Sequence, residues 1–145
     1  MTVFVDANLA VHATGTDPEM RERCAVIVLE SSRASSRLVS SAEVLQEVFW
    51  VRQRTRGLDA ARGAIELCVE AFDIVALLPE DVISAVNSRQ QPGLQARDLV
   101  HLATMARLGL TRIISTDRAF DGVAGIERLD PSDFLTWRDS VFAGD

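Results

Sequence analysis

Short β-prone apolar runs alternate along this chain with longer segments whose apolar residues recur at helical spacing. Val3-Phe4-Val5 is the first run, and it ends on a carboxylate, Asp6. A short helix from Asn8 to Ala13 follows, then a break at Gly15-Thr16-Asp17-Pro18. Asp17 suits an N-cap with Pro18 at the first helical position, which predicts a helix to about Ser32 with Cys24, Ile27 and Val28 on its apolar face. Arg37-Leu38-Val39 reads as a second strand. Ser40-Ser41-Ala42-Glu43 has the S-x-x-E spacing of a capping box, with Ser40 as the cap, in front of Val44, Leu45, Val48, Phe49 and Val51.

Gly57 is expected to end that helix and Leu58 to Ala71 to form another. Ile74 to Leu77 is a third strand candidate, Pro79 opens a helix reaching about Ser88, and Pro92-Gly93 is a turn. Ala96 to Leu108 is helical, with Leu99, Leu102, Ala103 and Ala106 as its expected buried stripe and Gly109 as its stop. Thr111 to Ser115 and Ile126 to Leu129 are the remaining strands, and Asp130-Pro131-Ser132 starts a last helix. Strands alternating with helices predict an α/β domain around a mainly parallel sheet.

Composition narrows the class. A chain of 145 residues suits one domain with a real core, and 48% hydrophobic with 25% charged residues excludes a disordered or fibrous chain. No apolar run approaches the roughly 20 residues that span a bilayer. The acidic residue at position 6 interrupts any signal-peptide core, so the cytoplasm is the expected compartment. Cys24 and Cys68 lack a CxxC pattern and read as buried thiols, and His12 and His101 are too few for a Cys/His zinc site. A net charge of −6 argues against holding nucleic acid by bulk attraction, although an acidic metal site would itself add negative charge. All 15 basic residues are arginine.

Four carboxylates sit where a parallel sheet can gather them. Asp6 ends the first strand and Asp117 follows the fourth, and parallel strands present their carboxyl ends on one side. Glu47 lies beside the apolar face of its helix, and Asp98 lies in the first turn of the helix before the fourth strand. Each has an ordinary alternative: Asp6 and Asp117 as caps, Asp98 as a first-turn acid favoured by the helix dipole, Glu47 as a residue flanking the core. Clustered carboxylates cannot all stay ionised without compensation, and oxygen-only ligands suit Mg²⁺ or Mn²⁺. Asn8, Ser115 and Thr116 are candidates to orient such ligands.

Val5-Asp6-Ala7-Asn8, Ser41 with Glu47 six positions on, Asp98 to Ala103, and Ser115 to Phe120 together resemble the PIN domain, and within it the VapC-type toxins of prokaryotic toxin–antitoxin modules. The resemblance covers nearly the whole chain. It implies a PIN-like three-layer fold, with a central, mainly parallel sheet of four to five strands flanked by helices. It also implies a metal-dependent endoribonuclease using Mg²⁺ or Mn²⁺, in which Asp6, Glu47, Asp98 and Asp117 are both catalytic residues and metal ligands. An RNA substrate, a cognate antitoxin protein covering the acidic pocket, and a homodimer are the implied partners. The family often carries Thr-Asn-Asp at the fourth motif, and here Ser115-Thr116-Asp117 keeps a hydroxyl and loses the amide.

Two other readings compete. A PIN-like module used only for interaction would have its acidic pocket neutralised by a basic group of another protein. A phosphatase with an Asp6 nucleophile would want a second Asp two residues on, where this chain has Asn8. His101 is expected to pack or support, Asp121 to cap or face solvent, and Arg52, Arg54 and Arg56 to form a solvated helix end or an RNA or partner contact. Trp50 and Trp137 are left between core and interface.

Overall fold

The computed structural model describes residues 1–34, 37–89 and 91–143. Five strands, β1 (Thr2–Val5), β2 (Arg37–Ser41), β3 (Asp73–Val75), β4 (Arg112–Ile114) and β5 (Glu127–Leu129), form one sheet in the order β3-β2-β1-β4-β5. Every pairing is parallel. Six α-helices flank it: α1 (Ala7–Ala13), α2 (Pro18–Arg33), α3 (Ala42–Ala71), α4 (Pro79–Asn87), α5 (Ala96–Leu108) and α6 (Phe134–Phe142). This is the expected α/β architecture with five strands.

The chain winds outward from β1 through β2 to β3, then returns to add β4 and β5 on the other side of β1. The order therefore reverses between β1 and β4, and a crevice opens there at the carboxyl ends of the strands. β1 is central, and after Thr2 it is apolar: Val3, Phe4 and Val5 are fully buried. Leu9, Ile27, Val44, Val48, Met105, Ile113, Ile114 and Phe120 pack against it from several elements. Trp137 belongs to this core, meeting Phe134 edge to face and Phe142 at a tilt and donating its indole N–H to the Asp130 carbonyl at 2.7 Å. No helix among the described residues is long and apolar enough to cross a membrane.

Several local expectations shift. α3 is capped by Ser41, whose hydroxyl accepts the Val44 N–H, and not by Ser40. Ser40 stays in β2 because its hydroxyl donates to the Val5 carbonyl at 3.0 Å and ties β2 to the end of β1. Glu43 consequently sits at the second helical position and pairs with Arg97 at 3.2 Å instead of closing a capping box. Gly57 does break the helix as expected: α3 is two helical segments that meet at a kink, where Gly57 leaves the helical backbone with φ of 85°, a conformation that costs other residues dearly. β3 comes earlier than expected and excludes Ala76 and Leu77.

α5 is rotated from its expected stripe. Its buried residues are His101, Thr104 and Met105, while Ala106 is exposed and Leu102 and Ala103 are half-buried. A polar pair takes the inner face because that face looks onto carboxylates, not onto hydrocarbon alone. Arg52 also departs from its run. It is buried, and its guanidinium donates to the Thr14 hydroxyl at 2.9 Å and to the Val11 carbonyl, fastening α3 to α1. Arg54 lies over the Trp50 ring at 4.6 Å, and Trp50 itself is 50% exposed.

Candidate active site

Asp6 is the pivot. β1 delivers it to the crevice and α1 begins at the next residue, so its Oδ1 accepts the Ala7 N–H at 2.7 Å. Its Oδ2 accepts from the Asn8 amide and from the Ser115 hydroxyl, both at 2.7 Å. A carboxylate has about four acceptor directions, and these contacts use three. The cap reading of Asp6 is thus correct, and it leaves a lone pair for another partner.

Asn8 and Ser115 lock the ends of β1 and β4 together. Asn8 donates to the Ser115 hydroxyl at 2.9 Å and accepts the Thr116 N–H at 3.1 Å. The Ser115 hydroxyl also accepts the Asp117 N–H at 3.0 Å. Thr116 enters this network through its main chain. Asp117 caps the short 3₁₀ turn Arg118–Gly122 by accepting from the Ala119 N–H at 2.9 Å.

Asp98 sits in the first turn of α5, and its carboxylate accepts the Gln95 N–H at 2.8 Å. Glu47 projects from α3, with one oxygen 3.4 Å from Arg97 and the other 3.5 Å from His101 Nε2. All four carboxylates named from the sequence line one cavity of about 190 Å³, together with Ala7, Asn8, Val11 and Val51. A wider cleft of about 700 Å³, lined in part by Trp50, Gln95 and Arg97, adjoins it through Glu47 and Asp98.

The electrostatics of the cavity are uneven. Burial pushes the Asp6 carboxyl above its ordinary value against the opposing pull of His101 and Ser115, and the Glu47 charge adds to the rise. Burial likewise raises Asp98, with the Asp117 and Glu47 charges adding to it. Glu47 is also desolvated, but His101 and Arg97 outweigh that and hold it low. Among the described residues, Glu47 is the one carboxylate of the four with an arginine in ion-pairing distance. Among the described residues, Asp6 and Glu47 bring an oxygen each to within 4.8 Å of one another and of a His101 ring nitrogen, while Asp98 and Asp117 line the same cavity outside that close group. The lining is rich in carboxylate oxygen and short of positive charge, the chemistry that suits a hard divalent cation.

His101, expected to pack or support, does lie against the site, while the roles of Arg97 and Arg128 escape the sequence. His101 is fully buried with Nε2 3.8 Å from Asp6 Oδ1, and its ring lies 5.8 Å from that of Phe4. Arg97 bridges Glu43 and Glu47. Arg128 grips Asp121 and Asp130, each at 2.7 Å, and donates to the Ser115 carbonyl at 2.9 Å. Asp121 is therefore part of a clamp on the β4 loop. The D-x-x-H spacing on α5 was the available signal for His101; nothing local marks Arg128.

Residues 3–126 match the PIN domain family. Ribonuclease VapC23 of Mycobacterium tuberculosis is 35% identical over 119 residues, covering 79% of this chain and 92% of that one. Ribonuclease VapC13 of the same species is 30% identical over 131 residues, covering 88% and 98%. Among solved structures, M. tuberculosis VapC20, described as a sarcin-ricin loop cleaving toxin, superposes with a TM-score of 0.67 at 14% identity, covering 86% of this chain and 98% of that one. The VapBC2 complex of Rickettsia felis, bound to a DNA fragment from its promoter, gives 0.67 at 12%, covering 90% and 98%. Fold, motif order and sequence similarity agree: the chain belongs to the PIN-domain family and, within it, to the VapC group.

Proposed function

We propose that this protein is a metal-dependent endoribonuclease, the toxin of a type II toxin–antitoxin pair, with Asp6, Glu47, Asp98 and Asp117 as its catalytic residues and metal ligands. The observation that carries this reading is the convergence of those four carboxylates on one cavity in which three lack an arginine counter-charge among the described residues. These carboxylates would hold Mg²⁺ or Mn²⁺, which would supply the missing positive charge and the Lewis acidity that activates water and stabilises a leaving oxygen in phosphodiester hydrolysis. The chain's own work is positional. Asn8 and Ser115 fix the plane of the Asp6 carboxylate through Oδ2, the Ala7 N–H fixes Oδ1, and Ser115 sets the main chain that carries Asp117.

The named activity of the VapC relatives, RNA cleavage, supports RNA as substrate. Structural neighbours that are VapBC complexes support a cognate antitoxin. Leu45, Phe49, Leu58 and Ile65 line a largely apolar groove of about 490 Å³ along α3, a suitable seat for an antitoxin segment. Val82, Ile83 and Val86 stand exposed on α4 and suit a homodimer face. The whole chain works as one domain in the cytoplasm, where Cys24 and Cys68 remain free; burial raises their thiols to about 12 and about 11, which keeps them inert.

Two rival readings separate from this one differently. An interaction-only module would leave its acidic pocket to a basic group of another protein, and failure of the purified, partner-free protein to bind Mn²⁺ would favour it. In a phosphatase the position two after the nucleophile must give and take protons, whereas the Asn8 amide is committed to Asp6 and Ser115. The test is Mg²⁺- or Mn²⁺-dependent cleavage of total RNA by the wild type and by Asp6→Asn. Cleavage by the wild type alone is expected. Undiminished cleavage by Asp6→Asn would remove the assignment.

A further inference from the structure

We propose that His101 is a positioning residue of the acidic site: its Nε2–H donates to Glu47, faces Asp6 and sets the spacing of the two carboxylates, while the imidazole stays outside the ion's ligand shell. The inference rests on the metal-site reading above and adds a role that the four carboxylates do not define.

By distance alone His101 looks like a ligand. Its Nε2 and one oxygen each of Asp6 and Glu47 lie within 4.8 Å of one another, as the donors of a metal site do. The surroundings of the ring decide otherwise. His101 is fully buried, and its Nδ1 has no hydrogen-bond partner among the described residues. A ligating histidine donates its second ring N–H to a carboxylate, a carbonyl or a water, because ligation through Nε2 requires the proton on Nδ1. Here that proton would be a buried donor without an acceptor, which burial penalises.

The other nitrogen points the same way. Nε2 faces Glu47 at 3.5 Å and Asp6 at 3.8 Å, so a bare lone pair would look onto two anions. A proton there is attracted by both. The Glu47 contact, at 3.5 Å, is at the long end of hydrogen-bond reach, and the Asp6 oxygen at 3.8 Å is an electrostatic neighbour of the same N–H. The ring cannot easily turn away, since α5 seats it against Phe4 in the core. Asp98 lies one helical turn back on α5, so one helix carries both a carboxylate of the site and the donor that spaces two others. The ligand shell that results is all oxygen, which suits Mg²⁺ or Mn²⁺ better than Zn²⁺.

The chain has two histidines, so imidazole ¹⁵N spectra of the labelled full-length protein contain two ring systems to assign. Long-range ¹H–¹⁵N correlation without ion and with saturating Mg²⁺ should show the His101 Nε2 proton retained in both. Loss of that proton on adding Mg²⁺, or a proton found on Nδ1 alone, would make His101 a ligand and overturn the proposal. Mn²⁺ titration calorimetry on two variants separates positioning from packing. His101→Gln carries an amide donor of similar reach and should bind Mn²⁺ within about threefold of wild type, whereas His101→Leu should bind about tenfold or more weakly. Wild-type affinity in a folded His101→Leu would reduce the residue to packing. Wild-type protein that binds neither ion would overturn the metal-site reading itself, and the His101 role with it.

Discussion

Asp81 and Asp98 hold the same local position and lead opposite lives. Each is the third residue of its helix, α4 and α5, and each accepts the main-chain N–H three residues back, from Leu78 at 3.0 Å and from Gln95 at 2.8 Å. Asp81 is then met by the Arg107 guanidinium through two bonds of 2.8 and 2.9 Å, and this fork holds its carboxyl below the ordinary range. Asp98 meets Asp117 and Glu47 instead, and burial with their charge raises it. Helix capping accounts for both carboxylates equally well. What separates a structural acid from a site acid is the tertiary partner: a cation already built into the chain, or a gap that fits one.

The largest expected consequence is in catalysis. Asp98→Asn should lower metal-dependent RNA cleavage by more than about 100-fold, beyond the loss typical for a residue that merely supports a ligand. Asp81→Asn, assayed below its melting temperature, should keep most of the activity. Comparable losses in both would erase the contrast.

Stability should show the reverse order. Asp81→Ala removes a buried carboxylate that accepts two bonds from Arg107 and one from the Leu78 N–H, and should destabilise the fold more than Asp98→Ala does. In ion-free protein, Asp98→Ala loses one hydrogen bond but relieves a half-buried, uncompensated charge, for a net change within about 1 kcal/mol. Denaturant unfolding of the two variants measures both.

The smallest effect is in pH dependence, where the two regions should slope in opposite directions. Asp6 and Asp98 are raised above 3.8, so the native state takes up their protons before the unfolded chain does. Without metal, their contribution to stability falls as pH rises through that window. Asp81 is lowered, so its contribution is present above 3.8 and fades as pH falls through its native value. Ion-free protein should therefore gain slightly in Tm on mild acidification and lose it in stronger acid. Mn²⁺ affinity should decline over the mild range, where protons compete for Asp6 and Asp98. A Tm that only falls on acidification would contradict the raised pair.

These contrasts also mark what the amino-acid order reveals. Asp6 and Asp117 are legible because strand ends in a parallel sheet have one destination, and Glu47 and Asp98 because both flank apolar stripes. The partners are not legible. Asp81 and Asp98 follow similar helix starts, and nothing near either announces Arg107 or Asp117, which arrive from 26 and 19 positions away. The capping-box spacing pointed to Ser40 because local pattern cannot register that β2 needs that hydroxyl for the Val5 carbonyl. The α5 stripe was misplaced because hydrophobic periodicity turns a histidine outward, whereas here the interior itself is polar enough to hold it. Arg52 looked like the head of a basic run and is a buried tie to α1.

In the reading proposed above, the Asp6–Glu47–Asp98–Asp117 cavity is held open for a cation that the chain does not supply. The most direct measurement is the change in Tm when Mn²⁺ is added to ion-free protein. An ion bound only by the native state stabilises it by RT ln(1 + [L]/Kd), about 2.7 kcal/mol at 100 times Kd. The account predicts a clear, saturable rise in Tm for the wild type and for Asp81→Asn, and little or none for Asp98→Asn. A wild-type Tm indifferent to Mn²⁺ and Mg²⁺ would contradict it.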